Sequence, residues 1–260
     1  MEKVNSLFAE ERKELIVSLV EELGKVNVGE LCERFDVSGA TIRNDLRELE
    51  HRRLITRVHG GALRRSRVTE EVLIDNRSAT PQPAKQAIAR IAFEQVEDGD
   101  TIILDTGTTC HELSLLLKDR NDLTVITNDL SSALSLEVFP SVRVILVGGV
   151  LRRGYHCTVE PVVSPWDDLT ADKVFLGANG FTLDKGAMTP DISQAAVKRG
   201  MIRAARKVIL LCDSTKFGRS SLFRFAPLEK IDLMISDKIP PEIAWGLEAE
   251  GIDHLSRHDE

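Results

Sequence analysis

From residue 84 onward the sequence alternates short apolar runs with amphipathic helical patterns, and this alternation restricts the fold more than any other feature. The predicted strands are Thr101–Leu104, Leu123–Thr127, Val142–Val147, Lys173–Leu176, Lys207–Cys212 and Leu233–Ser236. The helical patterns between and before them include Ala84–Val96, Asp129–Val138 and Ile192–Ala205. Apolar strands that alternate with helices are typical of a mainly parallel sheet covered on both faces. We therefore predict an α/β domain over residues 84–260.

Residues 1–67 carry a different pattern, which predicts three short helices. The first has an apolar stripe at helical spacing: Leu15, Ile16, Leu19, Val20 and Leu23. Asn27 precedes a second helix, Val28–Phe35, and Ser38 precedes a third whose inner face carries Ile42, Leu46 and Leu49. Asn and Ser are favoured residues immediately before a helix. A short strand, Leu54–Val58, and the turn Gly60-Gly61 follow, so we predict a helix-turn-helix with a β-hairpin wing.

The charge is distributed unevenly along the chain. The net charge is −7, yet residues 1–67 hold 13 basic and 12 acidic residues. Between Ser38 and Arg67 three acidic residues stand against eight arginines: Arg43, Arg47, Arg52, Arg53, Arg57, Arg64, Arg65 and Arg67. A basic stretch on a small unit is typical of contact with nucleic-acid phosphates. A solvated helix face is the alternative interpretation.

The start of the third helix carries the candidate DNA contacts. Thr41, Arg43, Asn44 and Arg47 avoid its buried stripe, and Ser38 lies just before it. In the major groove, arginine pairs with guanine and asparagine with adenine. Arg57 and His59 of the wing are placed to meet phosphates or the minor groove. We therefore predict binding to double-stranded operator DNA.

Polar, glycine-containing clusters follow four of the predicted strands. They are Asp105-Thr106-Gly107-Thr108-Thr109, Thr127-Asn128-Asp129, Gly148-Gly149 followed by Arg152 and Arg153, and Asp213–Gly218, which includes Lys216. Each cluster by itself is also typical of an ordinary turn or helix cap. Ligands bind beyond the carboxyl ends of parallel strands, and helix amino termini accept anions. Together the clusters predict a site for a phosphorylated sugar or polyol.

Two motifs of the amino-terminal unit identify a family resemblance. VS-x-x-TIR-x-DL covers the third helix, and R-x-HGGA covers the wing. Together they resemble the DNA-binding domain of the DeoR family of bacterial transcription regulators. The resemblance implies a winged helix-turn-helix regulator that represses a carbohydrate-utilisation operon. It also implies that a sugar phosphate controls this repressor.

The second part resembles the DeoR-type sensor domain through DGDTIILDTGTT, TND, VGG, GANG and D-x-x-KFG. That resemblance implies a fold shared with ribose-phosphate isomerases and glucosamine-phosphate deaminases. It also implies the effector-binding residues, which are Asp105, Thr106, Gly107, Thr108, Thr109, Asn128, Lys198, Asp213 and Lys216.

Three positions depart from the family pattern. Asn44 stands where a second arginine is usual, Gln194 replaces a glutamate before Lys198, and Glu160-Pro161 occupies the place of a glycine. The operator and the effector therefore do not transfer from a relative.

The alternative function is a sugar-phosphate isomerase or deaminase-like enzyme with an added DNA-binding domain. Such chemistry needs a carboxylate base, for which Asp105, Asp184 and Asp213 are candidates, and a proton shuttle. The histidines outside the DNA-binding unit and the polar carboxyl-terminal tail are His111 and His156. Because neither pairs with a suitable base or nucleophile in sequence, we favour a binding domain and predict no catalytic residues. The sequence has no metal-ligand spacing and no GxGxxG loop, so we also predict no metal and no cofactor.

The rest of the sequence sets the domain boundaries and the expected surroundings. Residues 68–83 contain two prolines and few apolar residues, so we predict a connector there between domains 1–67 and 84–260. Four dispersed cysteines and the lack of a long apolar run favour a cytoplasmic protein that does not contact a membrane. One recognition helix covers too few base pairs to select a site in a genome, so we predict a homo-oligomer, a dimer or a tetramer.

Overall fold

The computed structural model describes residues 9–52, 54–58, 60–64, 82–160 and 166–257. The chain divides into two compact units, residues 1–67 and 68–260. In the first unit the elements are α1 (Ala9–Leu23), β1 (Lys25–Asn27), α2 (Val28–Phe35), α3 (Gly39–His51), β2 (Ile55–Val58) and β3 (Gly61–Arg64). The strands form an antiparallel sheet in the order β1–β3–β2. The predicted helix-turn-helix and hairpin are confirmed.

One apolar cluster holds this unit together. Its buried members come from all three helices and all three strands: Ile16, Leu19, Val20, Val26, Leu31, Ile42, Leu46, Leu49, Ile55 and Ala62. The predicted inner face of α3 is therefore confirmed. Two residues predicted on the buried stripe of α1 are exposed, Leu15 and Leu23. The buried stripe of α1 is thus narrower than predicted.

The second unit alternates helices and strands. Its helices are α4 (Gln82–Phe93), α5 (Thr108–Leu116), α6 (Leu130–Leu136), α7 (Ile192–Ala204) and α8 (Pro241–Ala249). Its strands are β4 (Thr101–Leu104), β5 (Leu123–Thr127), β6 (Val142–Leu146), β7 (Val150–Arg152), β8 (Cys157–Val159), β9 (Ala171–Gly177), β10 (Gly180–Thr182), β11 (Gly186–Thr189), β12 (Ala205–Leu211), β13 (Phe223–Ala226), β14 (Leu233–Ser236) and β15 (Asp253–Ser256).

Seven of the described strands form the main sheet, in the order β15–β14–β12–β9–β4–β5–β6. Every neighbouring pair in it is parallel. Successive residues of the central strand β9 enter different apolar clusters: Val174 and Leu176 pack on one face and Phe175 on the other. Burial on both faces explains why these strands read as continuous apolar runs. The predicted parallel α/β sheet is confirmed, and two small antiparallel sheets, β10–β11–β13 and β7–β8, accompany it.

Two local assignments need correction. Helix α4 begins at Gln82, so Gln82 and Pro83 belong to its first turn and not to the connector. Proline is tolerated there because the first backbone N–H groups of a helix have no intrahelical acceptor. The prediction that His254 belongs to the polar carboxyl-terminal tail is wrong, because His254 lies in β15 at the edge of the main sheet. Connector residues 68–81 lie outside the described residues.

Candidate DNA-binding and effector sites

Local hydrogen bonds fix the start of the recognition helix α3. Asp36 ends α2 in the left-handed conformation, with φ of 51°. Ser38 then caps α3, because its Oγ accepts a hydrogen bond of 3.2 Å from the N–H of Thr41. The hydroxyl groups of Ser38 and Thr41 also lie 2.9 Å apart. Both predicted contact residues therefore also organise the end of the helix that they were expected to present to DNA.

The side chains of Arg43, Asn44 and Arg47 point to solvent from α3. Arg47 Nη1 donates a hydrogen bond of 3.0 Å to Asn44 Oδ1, which joins the two as neighbours on one helix face. Guanidinium and amide groups of this kind have the hydrogen-bonding capacity to read base edges. The structure thus exposes all three residues predicted to contact bases and joins two of them, Asn44 and Arg47.

The wing contributes one described candidate. Arg57 is exposed on β2, and its Nη1 lies 3.6 Å from Glu50 Oε2 at the end of α3. The Glu50 carboxylate also accepts a hydrogen bond of 3.3 Å from the Arg57 N–H. The carboxylate therefore links the wing to the recognition helix. His59, the other predicted wing contact, lies outside the described residues.

Ion pairs between α1 and α3 were not anticipated from the sequence. Arg12 forms a buried bidentate pair with Asp45, at 2.7 and 3.3 Å. Arg52 bonds to Glu10 at 2.9 Å and also to Glu48. Hydrogen bonds from Arg52 and then Lys13 lower the pKa of Glu10 to about 2. One arginine of the basic stretch, Arg52, therefore fastens the recognition helix to α1.

In the second unit, the predicted effector residues Asp105 and Lys198 form a buried ion pair. Asp105 follows β4 and is fully buried, and Lys198 on α7 is 4% exposed. The ammonium donates to Asp105 Oδ2 and, at 3.0 Å, to the carbonyl of Gly177. The same carboxylate oxygen accepts from the Gly177 N–H at 2.9 Å. The pair joins β4, β9 and α7 where the strands end.

The next strand end is joined to this one through side-chain hydrogen bonds. Thr106 Oγ1 donates to Asp129 Oδ2 at 2.7 Å, and the other oxygen of Asp129 caps α6 through the N–H of Ser132. Asn128 is buried, and its amide donates to the carbonyl of Thr158 on β8 at 2.6 Å. Because β4 and β5 are neighbours, these contacts bring the first two predicted clusters together.

The amino terminus of α5 is open to an acceptor. Gly107 precedes the helix with φ of 129°, a conformation that favours glycine, and no side chain caps the helix. Thr108 and Thr109 of the first turn are half-buried. The first backbone N–H groups of a helix lack intrahelical acceptors and attract anions. This end therefore has the chemistry of a phosphate site.

The other predicted effector residues lie apart from that cluster. Asp213 and Lys216 follow β12, separated from β4 by β9, and Lys216 Nζ lies 3.8 Å from Asp213 Oδ2. Asp213 also caps the short helical turn that holds Lys216, through the N–H of Thr215 at 3.1 Å. Gly148 and Gly149 are exposed beyond the outermost strand β6. Of these four residues, Lys216 carries the positive charge that suits a phosphate.

Three buried side-chain oxygens near the strand ends have no hydrogen-bond partner among the described residues: Asp105 Oδ1, Asn128 Oδ1 and Gln194 Oε1. Buried polar atoms usually have a partner, so unpaired ones mark places that a donor is suited to fill. All three are acceptors, and hydroxyl groups are donors to such atoms. The first two extend adjacent strands at the carboxyl edge of the sheet.

The structure explains one departure from the family pattern. Glu160 has φ of 50°, the left-handed region in which glycine is favoured, and its Oε1 accepts a hydrogen bond of 2.7 Å from Ser193 at the start of α7. Gln194, the second departure, is buried and donates to Cys157 Sγ at 3.1 Å. Pro161 lies outside the described residues.

The buried thiols are not activated. Burial raises the pKa of Cys110, Cys157 and Cys212. A protonated thiol is a poor nucleophile and a poor metal ligand. Within the described ranges, no three His, Cys, Asp or Glu side chains are grouped to hold a metal ion. In the same ranges, no helix combines the length and apolarity that a membrane span needs.

Comparison with known proteins decides the family. Residues 12–68 match the DeoR-like helix-turn-helix domain, and residues 81–238 match the DeoR C terminal sensor domain. The chain belongs to the DeoR family of transcriptional regulators. As a member of that family it is a DNA-binding regulator with a sensor domain, as the motifs of the two units predicted.

Curated relatives are similar over most of their length. The putative aga operon transcriptional repressor of Escherichia coli O157:H7 is 32% identical over 247 residues, 94% of this chain and 92% of the relative. The glycerol-3-phosphate regulon repressor of Escherichia coli K12 is 35% identical over 227 residues, 87% of this chain and 90% of the relative. The regulator GlpR of Haloferax volcanii is 37% identical over 228 residues, 87% and 89% of the two chains.

Solved structures show more distant similarity. Ribose 5-phosphate isomerase A of Methanocaldococcus jannaschii aligns with a TM-score of 0.39 and 16% identity, over 51% of this chain and 53% of that one. The translation initiation factor eIF-2B of Pyrococcus horikoshii OT3 aligns with a TM-score of 0.45 and 16% identity, over 90% of both chains. Similarity this low carries no argument about activity.

Proposed function

We propose that this DeoR-family regulator represses a carbohydrate-utilisation operon and releases its operator when a phosphorylated sugar or polyol binds the sensor domain. The observation that carries the proposal is the open amino terminus of α5, beside the joined strand ends of β4 and β5. The name of one relative, the glycerol-3-phosphate regulon repressor, supports a phosphorylated polyol as the class of effector.

The phosphate binds at Gly107, Thr108 and Thr109, where backbone N–H groups and two hydroxyls supply donors. Lys216, whose side chain is 26% exposed, supplies a positive charge. The hydroxyl groups of the effector approach the strand ends at Asn128 and Asp105, whose Oδ1 atoms have no partner among the described residues. Lys198 holds the Asp105 carboxylate in place, and so acts on the effector indirectly.

On the DNA side, α3 enters the major groove, and Arg43, Asn44 and Arg47 contact base edges. Arg57 and His59 contact phosphates from the wing, and Ser38 and Thr41 fix the start of the helix. Two or more copies of the chain act on repeated half-sites, because the genome offers too many matches to one recognition helix. The connector, residues 68–81, transmits occupancy of the sensor domain to the DNA-binding domain.

We further propose that the sensor domain binds the sugar phosphate without converting it, in the cytoplasm. Protonated, buried thiols leave no cysteine nucleophile there. Asp105, a candidate carboxylate base, is occupied by Lys198 and Gly177 through one oxygen. A ligand can change DNA affinity only by favouring one of two conformations of the protein, which requires binding but no reaction.

The test measures operator affinity with and without a panel of sugar and polyol phosphates, with inorganic phosphate as the ligand control. Lys216→Met is expected to weaken the response to the effector at least about tenfold, while DNA affinity without effector is unchanged. Lys207→Met is the matched control, since Lys207 is also half-buried but lies toward the opposite end of β12.

Two results would count against the proposal. Equal affinity for operator and random DNA would exclude a sequence-specific regulator. Catalytic turnover of a sugar phosphate by the purified protein would establish the alternative, an isomerase or deaminase-like enzyme.

A further inference from the structure

Exposed apolar side chains of the second unit are concentrated on one short stretch of chain. Six large apolar residues there are between 37% and 71% exposed. We call them the β6 face: Leu134, Val138, Ile145, Leu146, Val150 and Leu151. They belong to or adjoin α6, the edge strand β6 and the first strand of the β7–β8 hairpin. Single exposed apolar residues are normal on a protein surface, but a group of this kind marks an interaction surface.

A groove gives this face a shape that suits a packed partner. It has a volume of about 470 Å³ and runs between α6 and β6. Leu130 and Leu134 line it from the helix, and Val142, Val144 and Leu146 line it from the strand. The one charged residue in the lining is Glu137. Filling an apolar groove of this kind with another apolar surface lowers the free energy, because it removes apolar surface from water.

The two edge strands of the main sheet differ in polarity, and β6 is the more apolar of the two. At one edge β15 has the sequence Asp253-His254-Leu255-Ser256, in which polar residues are in the majority. At the other edge β6 reads Val142-Arg143-Val144-Ile145-Leu146. Proteins normally protect edge strands with charges, prolines or bulges, because unpaired N–H and C=O groups invite association. The edge at β6 has one such charge, so it is suited to be covered.

The charges on this stretch favour a second copy of the chain as the partner. From α6 to the residue after β7 there are one acidic residue, Glu137, and three arginines, Arg143, Arg152 and Arg153. Arg152 pairs with Asp191 at 3.3 Å. Among the apolar residues of the face stands one charge of each sign, Glu137 and Arg143, so two copies meet there with little electrostatic repulsion. Depletion of charge at the centre is also the compositional signature of protein–protein interfaces.

We propose that two copies of this chain associate through the β6 face, about a two-fold axis, to form the dimer that binds the operator. The inference rests on the proposed function, which requires more than one recognition helix. The six side chains expose roughly 500 Å² of apolar surface, more than half of the roughly 800 Å² that each partner contributes to a standard interface. Two-fold pairing brings the same patch of both copies together, which an apolar face permits.

The test uses two single variants of the full chain, Leu134→Glu and Ile145→Lys. Each has a matched control near β15, the opposite edge strand of the sheet. Leu134 and Trp245 are 68% and 69% exposed, and Ile145 and Leu255 are 37% and 38% exposed. The controls are therefore Trp245→Glu and Leu255→Lys. Analytical ultracentrifugation over a range of protein concentrations measures the dissociation constant of the dimer.

The wild type and both controls are expected to dimerise alike, and each face variant is expected to dissociate at least a hundredfold more readily. Circular dichroism checks that the dissociated variants remain folded, as expected for substitutions at exposed positions. If the face variants dimerise as the wild type does, the surface is wrong although the oligomer stands. If the wild type is a monomer on its operator, the oligomer of the proposed function fails as well.

A second measurement does not depend on disrupting the dimer. Val138→Cys, in a Cys32→Ala background, carries a nitroxide label at a 71% exposed position on the face. The distance between labels of the two copies is expected to be shorter than for Trp245→Cys labelled in the same way. A shorter distance at Trp245 would overturn the proposal. Unchanged mass with a lower melting temperature in the face variants would also overturn it, because another part of the same chain would then cover the groove.

Discussion

The candidate residues of the two units differ in how the fold uses them. In the DNA-binding unit Arg43, Asn44 and Arg47 are exposed, so their side chains are available to a ligand. In the sensor unit Asp105 and Lys198 are buried and bonded to each other. The first group contacts a ligand from the surface, whereas the second group holds the strand ends together and offers the effector one oxygen, Asp105 Oδ1. Substitution of the first kind should change affinity alone, whereas substitution of the second kind should change stability first.

Each unit nevertheless has, among its described residues, a buried ion pair that holds its functional element in place. Arg12 and Asp45 join α1 to α3, and Lys198 and Asp105 join α7 to the end of β4. Breaking a buried pair leaves one charge without compensation, which destabilises a protein far more than losing an exposed pair.

The largest effect is expected for Asp105→Ala. The substitution leaves the ammonium of Lys198 buried and without its carboxylate, and should lower the free energy of unfolding by about 3–5 kcal/mol. Chemical denaturation of the full chain measures it. Lys216→Met, at a partly exposed position, is the control and should change stability by less than about 0.5 kcal/mol. Similar stability of the two variants would contradict a structural role for the buried pair.

Arg12→Ala should destabilise the DNA-binding unit by about 2–3 kcal/mol, because Asp45 is left nearly buried without its guanidinium. The effect is smaller than that of Asp105→Ala, since Arg12 and Asp45 are 8% and 5% exposed and retain some hydration. Operator affinity should fall only as far as the folded population does. A large loss of affinity in fully folded protein would show instead that Arg12 acts on the DNA contact directly.

Arg43→Ala should weaken operator binding by about 1–3 kcal/mol and relax the preference at one base pair. The melting temperature should not change, because the side chain is exposed. Arg206→Ala, an exposed arginine in the sensor unit, is the matched control and should leave affinity intact. If Arg43→Ala weakens binding equally to all sequences, Arg43 contacts phosphate and not a base.

The smallest effect is expected on stability at low pH, where Glu10 becomes protonated. Hydrogen bonds from Arg52 and Lys13 lower the pKa of Glu10 from 4.5 to about 2. A carboxylate with a lowered folded-state pKa stabilises the protein above its unfolded pKa, and this contribution is lost as the pH falls from 4.5 towards 2. Glu10→Gln should therefore flatten the decline in melting temperature over that range. An unchanged slope would show that the exposed pairs contribute nothing to stability.

The sequence predicted the elements well where a local signal exists. Ile42, Leu46 and Leu49 recur at helical spacing and are buried as expected, and Ser38 caps α3 as its position indicated. The predicted buried stripe of α1 is too wide at Leu15 and Leu23, because periodicity locates a helix face but not its limits. The predicted start of α4, Ala84, is two residues late, because proline indicates a connector but is also tolerated in the first turn of a helix.

The sequence by itself determined the two units, the helical faces and the residue types at the strand ends, because each depends on residues close together in the chain. Only the tertiary structure decided which of those residues meet. Lys198 reaches Asp105 because α7 packs where β9 lies beside β4, and Thr106 reaches Asp129 because β4 lies beside β5. The order of strands likewise left β6 at an edge with its apolar side chains exposed. Strand order arises from packing between distant segments, and local patterns of polar and apolar residues do not encode it.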